Sequence, residues 1–193
     1  MLAHKQLGQM IDNFKADLTG LDSNQLFRKY ILTGSSFALS DENLYQLKEE
    51  VCDHFEIEFN DIVLVGSGKL GFSIKPSKRY QEFGEESDID IAVVSTELFQ
   101  KVWKEAFLYK RSGAYWPNSK IFFQYLSEGW IRPDKLPSSK YFSFSEKWWS
   151  FFNQITSKGR YTKVKIRGGL YHSWFFLQEY QKICIQQCID EIR

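Results

Sequence analysis

The chain has 193 residues, of which 25 are Lys or Arg and 24 are Asp or Glu, so its formal net charge is +1. This length suits one domain and is short for two. A charge so close to zero argues against a protein that binds nucleic acid through bulk positive charge, although a local basic groove stays compatible with it. Because 43% of the residues are hydrophobic and 17% are aromatic, the chain can bury a sizeable core, which excludes a disordered protein.

The sequence contains no apolar run of membrane-spanning length. No stretch of 18 apolar residues occurs, and the first residues lack the apolar segment that is typical of a signal peptide. We therefore expect a soluble, cytoplasmic protein that does not engage a membrane.

The first third of the chain is predicted to be helical. Apolar residues recur every three or four positions over residues 5–32, with a break near Gly20, and a second helix is predicted to begin at a Ser40 cap. The spacing of the apolar residues then changes. Residues 62–65 and 89–94 are short continuous apolar runs, typical of buried strands, and the polar loop between them could contain a hairpin.

The rest of the chain is predicted to contain four helices and one further strand. The helices are expected after a Ser95 cap and over residues 121–130, 146–155 and 174–192, the last with Phe176, Tyr180, Ile183 and Cys184 buried. Residues 161–167 alternate polar and apolar, as a half-buried strand does, and Gly168 and Gly169 are predicted to end that strand. The elements together predict an α/β (α+β) fold, with a small mixed sheet covered by several helices.

A glycine-rich turn follows the first predicted strand. Residues 66–71 read Gly-Ser-Gly-Lys-Leu-Gly. Such a segment either presents closely spaced backbone N–H groups to phosphate or is a tight turn without a binding role. The dinucleotide-binding motif requires a helix next, which Pro76 interrupts, and the Walker A motif requires Gly and Ser or Thr where the chain has Val63 and Leu70. The protein-kinase pattern also requires His-Arg-Asp and Asp-Phe-Gly tripeptides, and the chain contains neither.

Asp88 and Asp90 begin the second predicted strand and alternate with Ile89 and Ile91. Because strand side chains alternate between faces, the two carboxylates are predicted to share one face, about 7 Å apart. Such a pair can hold one or two divalent cations, and Mg²⁺ held this way can bridge a nucleoside triphosphate.

The order of these motifs resembles the DNA polymerase β-like nucleotidyltransferase superfamily over residues 62–94. The resemblance implies a metal-dependent enzyme that transfers NMP or dNMP from a nucleoside triphosphate to a hydroxyl of a nucleotide, oligonucleotide or protein side chain. It implies that Gly66 and Ser67 bind the triphosphate and that Asp88 and Asp90 are catalytic and bind Mg²⁺ or Mn²⁺. Lys69 is a further candidate phosphate contact because of its charge and proximity.

Two features depart from the family pattern. The 20 residues between Ser67 and Asp88 exceed the usual spacing and imply an inserted loop or hairpin. The family's third carboxylate normally comes from a later strand, but the polar face of residues 161–167 carries Lys163, Lys165 and Arg167, either as a solvated face or as a cationic wall beside the site. The alternative function is therefore a non-catalytic nucleotide-binding module, such as an antitoxin.

We accordingly expect residues 1–193 to form a single nucleotidyltransferase domain. Residues 1–60 would be a helical lead-in, 61–112 the catalytic core, and 113–193 helices plus one strand that completes the sheet. The aromatic segment 141–152 is predicted to cover the sheet, with base stacking as the alternative. The implied partners are a nucleoside triphosphate, an oligonucleotide product or acceptor, and a partner protein or second copy, and small stand-alone members of the superfamily act in bacterial antiphage signalling or toxin–antitoxin modules.

Overall fold

Helices packed on both faces of a small sheet account for most of the chain. The computed structural model describes residues 2–161 and 163–192. In this part of the chain the helices are α1 (Leu2–Asp17), α2 (Ser23–Phe27), α3 (Asp41–Phe55), α4 (Gly66–Leu70), α5 (Thr96–Arg111), α6 (Ser119–Ser127), α7 (Ser143–Ser157) and α8 (Trp174–Asp190). The strands are β1 (Ile62–Val65), β2 (Asp88–Val94), β3 (Trp130–Ile131) and β4 (Lys165–Tyr171). The predicted α/β fold class with a small mixed sheet is confirmed.

The sheet has the strand order β1-β2-β4-β3. β1 runs antiparallel to β2, β2 runs parallel to β4, and β3 pairs antiparallel with β4. β3 lies where the sequence predicted the end of a helix over residues 121–130. Residues 113–193 therefore supply two strands to the sheet, where one was predicted.

Two hydrophobic layers cover the sheet because the residues of β2 alternate between its faces. Ile89, Ile91 and Val93 face the layer formed with α3, α5, α6 and α7. Ala92 and Val94 face the layer formed with α1, α2 and α8. Asp88 and Asp90 share the parity of Ala92 and Val94, so both acids belong to the α8 side of the sheet.

The helical caps predicted from the sequence are present. The Ser40 side chain accepts a hydrogen bond from the N–H of Asn43 at the start of α3, and the Ser95 side chain accepts one from Leu98 at the start of α5. The predicted break near Gly20 separates α1 from α2, and α2 begins at an Asp22 capping box. These termini are set by local side-chain chemistry, which is why the sequence identifies them.

The predicted strand over residues 161–167 is wrong in its bounds. β4 begins at Lys165 and continues through Gly168 and Gly169 to Tyr171, and Thr162 of the predicted strand lies outside the described residues. The strand continues through the two glycines. Their lack of a side chain leaves room for aromatic rings on the two faces of the strand. A Cβ on Gly168 would lie 2.4 Å from Cζ of Phe152, and a Cβ on Gly169 would lie 2.9 Å from Nε1 of Trp130.

The buried face of α8 also differs from the prediction. Ile183 is 56% exposed, whereas the buried residues of the helix are Leu177, Gln181, Ile185, Cys188 and Ile189. The prediction followed large apolar side chains, but the helix turns a glutamine inward. Gln181 lies on the face that covers the sheet.

The aromatic segment 141–152 mainly covers the sheet, as predicted. Trp148 and Phe152 are almost completely buried and lie with ring centroids 4.9 Å apart. Tyr141 and Trp149 are exceptions, since Tyr141 is exposed and Trp149 is half-buried and lines the cavity described below. In the described part of the chain, no helix is both long and apolar enough to span a bilayer.

Replacing Gly168 with alanine is expected to destabilise the fold by about 1–3 kcal/mol, because the added methyl would overlap Phe152 and Trp148. Gly8→Ala on α1 is the matched control. No atom lies within 4 Å of a Cβ built at Gly8, so that variant should gain about 0.5–1 kcal/mol from helix propensity. Urea unfolding of the three proteins measures both effects, and equal stability of Gly168→Ala and the wild type would contradict the packing described.

Candidate functional site

The antiparallel pairing of β1 and β2 brings the two sequence motifs together. Val65, the last residue of β1, is opposite Asp90 of β2. Gly66 follows directly, with a positive φ of 68° that favours glycine. A Cβ at Gly66 would lie 3.0 Å from Oδ2 of Asp90, so the backbone approaches this carboxylate more closely than a larger residue allows.

The segment predicted as a glycine-rich turn is a short helix. α4 covers Gly66–Leu70, and Gly71 ends it in the left-handed conformation with φ of 85°. Ser67, in the first turn of α4, is half-buried. A Cβ built on Gly68 would lie 3.5 Å from Cγ1 of Ile89, so Gly68 packs closely against β2. The glycines therefore serve close packing against β2 as well as the turn that follows β1.

A cavity of about 430 Å³ lies on the Asp88–Asp90 side of the sheet, within the usual range for small-molecule sites. Four of the five predicted site residues line it, namely Gly66, Ser67, Asp88 and Asp90. Its other walls come from the segment between α4 and β2, from the turn after β3, from β4 and from α8. The sequence motifs thus meet at one concave surface.

Lys69 is not brought to this cavity. Its side chain is 7% exposed, and its ammonium group donates hydrogen bonds to the backbone carbonyl oxygens of Gly34 and Ser35. Burial lowers the pKa of Lys69, which fits a lysine enclosed by the fold. The lysines that line the cavity are Lys75 and Lys78.

Lys75 and Lys78 come from the segment that lengthens the spacing between the motifs. This segment is a hairpin-like turn, as one prediction allowed. The N–H of Ser73 donates to the carbonyl oxygen of Gln81 at 2.9 Å, and Phe72 pairs with Glu82 in an antiparallel bridge. The insertion therefore forms a wall of the cavity that carries charges of both signs, since Glu82 and Glu86 line it together with Lys75 and Lys78.

Asp88 is paired with a cation from the neighbouring strand. Nε of Arg167 donates a hydrogen bond to Oδ2 of Asp88 over 2.8 Å, and both side chains are partly exposed. The parallel register aligns Lys165 with Asp88 and Arg167 with Asp90, so Arg167 is opposite one acid and bonded to the other. Lys163 and Lys165 are exposed and do not line the cavity, so the predicted cationic wall is reduced to Arg167.

Asp90 lies deeper than Asp88 and has a perturbed acidity. Burial raises its pKa, the charge of Asp88 adds to this effect, and the positive charges of Lys75 and Arg167 oppose it. The net direction is upward, so the fold disfavours the carboxylate form of Asp90. A carboxyl in this state beside a cavity is a typical feature of a functional site.

In the described part of the chain, the strands after β2 supply no third carboxylate beside this pair, although Glu82 and Glu86 of the segment between α4 and β2 also line the cavity. Of the acids available in the sequence, Glu128 and Glu146 are exposed and do not line the cavity. Asp134 does line it, but Arg132 and Lys135 bind its carboxylate, and against the effect of burial they hold its pKa below the usual range. Among the described residues, no cluster of three or more His, Cys, Asp or Glu side chains has the arrangement of a metal site. Asp88 and Asp90 could therefore supply two oxygen ligands, with the remaining ligands coming from substrate and water.

Several residues of the cavity wall were missed from the sequence. Trp130 begins the short strand β3 and Arg132 follows it, with the Arg132 guanidinium 5.2 Å from the ring centroid of Trp130. Tyr180 and Gln181 of α8 complete this wall. The polar Gln181 within an otherwise apolar helical face was the available signal, and the incorrect phase assigned to α8 concealed it.

Comparisons with protein-family models, curated proteins and solved structures found no match to this chain.

Asp90→Asn is expected to raise stability at neutral pH, by an amount of the order of 1 kcal/mol, because it removes a carboxylate that the fold disfavours. A raised folded-state pKa means that the contribution of Asp90 to stability is complete below its unfolded pKa and is lost as the pH rises through its folded pKa. The gain of Asp90→Asn should therefore vanish at low pH and grow as the pH rises. Thermal unfolding as a function of pH measures it.

Asp17→Asn is the control of opposite sign. Hydrogen bonds from Lys29 and Tyr30 lower the pKa of Asp17, so this variant should lose stability above the unfolded pKa of Asp17 and behave like the wild type below the folded one. A loss of stability at neutral pH in Asp90→Asn would show that the Asp90 carboxylate stabilises the fold, which is the opposite of what its surroundings imply.

Proposed function

We propose that the protein is a metal-dependent nucleotidyltransferase, whose cavity binds a nucleoside triphosphate and transfers its nucleotidyl group to a hydroxyl. The observation that carries the proposal is the shared cavity of Gly66, Ser67, Asp88 and Asp90. These residues come from the two motifs that resemble the DNA polymerase β-like superfamily. A new bond forms between the acceptor oxygen and the α-phosphorus, the bond to pyrophosphate breaks, and the hydroxyl proton leaves to solvent.

Asp88 and Asp90 are the residues that would hold Mg²⁺ or Mn²⁺. A cation bound there would offset the negative charge of the phosphates. Proximity to a cation also favours the carboxylate form of Asp90, whose pKa is otherwise raised by burial. Two carboxylates fit a hard divalent cation that keeps waters and substrate oxygens as its other ligands.

The positive groups of the cavity suit the rest of the triphosphate. Lys75 and Lys78 line it from the hairpin segment, and Arg167 lines it from β4. Their ammonium and guanidinium groups can donate charge-assisted hydrogen bonds to phosphate oxygens. Arg167 is available for this once a divalent cation replaces it beside Asp88.

The acceptor and the biological role are parts of the proposal that go beyond the residues of the site. The hydroxyl acceptor would belong to a nucleotide, to an oligonucleotide end, or to a Ser, Thr or Tyr side chain of a partner protein or second copy. A cytoplasmic role in antiphage signalling rests on the family resemblance alone.

A second candidate is a non-catalytic module that binds a nucleotide, as in an antitoxin. The observation in its favour is Arg167, which stands opposite Asp90 on the strand beside the acid pair and already neutralises Asp88. A cation fixed at that position can stabilise bound phosphate without supporting transfer. Nucleotide binding without turnover separates this candidate from the transferase.

The full chain should incorporate label from at least one of the eight common NTPs and dNTPs in the presence of Mg²⁺, into either a small product or the protein itself. The double variant Asp88→Asn, Asp90→Asn should lower this activity by at least about 100-fold, because it removes both carboxylates that would hold the cation. Asp53→Asn, which alters an exposed carboxylate on α3, should retain the wild-type rate.

Equal rates for the wild type and the double variant with all eight substrates would overturn the transferase. If nucleotides then still bind in a manner that depends on Asp88 and Asp90, the non-catalytic module is the correct function. If none binds, both candidates fail.

A further inference from the structure

Gln181 is a buried polar residue that the fold itself does not use. It is 9% exposed and lies on α8 facing the sheet, where it lines the cavity. Its side-chain amide makes no hydrogen bond to any group in the described part of the chain. Neither amide atom is among the completely buried side-chain atoms that lack a partner, so the donor and the acceptor are both open to a molecule in the cavity.

The surroundings of Gln181 suit a flat aromatic ligand. Ala92 and Gly169, which are paired in the sheet, present almost no side chain to the cavity. Tyr171, Tyr180 and Trp130 form a wall of rings, with Trp130 and Tyr171 stacked at 3° and Trp130 and Tyr180 centred 4.5 Å apart. Small floor residues with aromatic walls and one amide are typical of a pocket for a planar heterocycle.

We infer that this part of the cavity is a nucleobase subsite, in which the Gln181 amide reads the N6–N7 edge of an adenine base. The inference rests on the proposed function and specifies its substrate as an adenine nucleotide. The triphosphate would extend from there towards Asp88, Asp90 and Lys75, which line the same cavity.

At the purine edge that carries N7, a glutamine amide selects adenine over guanine. A glutamine presents one acceptor and one donor side by side, and adenine offers the complementary pair, its 6-amino group next to a ring nitrogen. The corresponding edge of guanine presents two acceptors, which a single amide cannot satisfy together. The mismatch leaves a buried polar group unpaired, which is the strongest available form of discrimination.

The test measures dissociation constants of ATP, GTP, adenosine and guanosine for the full chain by titration calorimetry. The wild type should prefer the adenine compound by about tenfold or more in each pair. Gln181→Leu should bring both ratios close to one. Gln186→Leu is the matched control, since Gln186 is an exposed residue of α8 that does not line the cavity, and it should retain the wild-type ratios.

A second variant guards against a folding defect. Gln181→Leu removes an amide without a partner and should unfold at or above the wild-type temperature. Gln181→Met keeps the approximate size of the side chain but has neither the amide donor nor the amide oxygen, so it should also lose the preference for adenine. An equal affinity of the wild type for both bases, or an adenine preference that survives both Gln181 variants, would overturn the inference.

The nucleoside pair separates this inference from the proposed function, because adenosine and guanosine carry no phosphate and need no divalent cation. A Gln181-dependent preference for adenosine without any nucleotidyl transfer leaves the base subsite standing and removes the transferase. Transfer that uses all bases equally in the wild type and in Gln181→Leu does the reverse.

Discussion

The negative charge of two aspartates on one face of the central strand is the constraint on which the site depends. Like charges held partly away from water are unfavourable unless opposite charge lies close by. The sheet register brings Arg167 to Asp88, and Lys75 approaches Asp90 from the hairpin segment. Two residues further along the same face, Ala92 packs in an apolar layer at no such cost. The burial of Asp90 is therefore unfavourable for the fold, which supports the cation site that we propose.

The remainder of the structure can be understood as the frame that fixes this pair. Beyond Asp90, β2 is buried between two helical layers, so neither acid can move along the strand. Because Gly66 has no side chain, the end of β1 can lie beside Asp90. Because Gly169 has none, the ring of Trp130 can lie over β4. The near-zero net charge of the chain is compatible with a triphosphate site, because the relevant cations are local and a whole-chain sum averages them away.

Elements governed by local chemistry could be predicted, whereas those governed by distant contacts could not. β1 and β2 are continuous apolar runs, and α3 and α5 begin at serine caps, so a short window of sequence contains their cause. The predicted bounds of β4 were wrong because its two glycines leave room for the rings of Trp148 and Trp130, which lie far away in sequence. The motifs predicted Gly66, Ser67, Asp88 and Asp90 as one group, but the direction of Lys69 and the inward turn of Gln181 depend on packing that no local pattern records.

The most direct test of a divalent-cation and triphosphate site at Asp88 and Asp90 is a crystal structure grown with Mn²⁺ and a non-hydrolysable ATP analogue. Anomalous scattering locates the Mn²⁺ without ambiguity. We expect a Mn²⁺ peak bound by the carboxylates of Asp88 and Asp90, with Arg167 released from Asp88 and turned towards phosphate. An analogue bound elsewhere, or an intact Arg167–Asp88 pair with no Mn²⁺ beside it, would contradict the account.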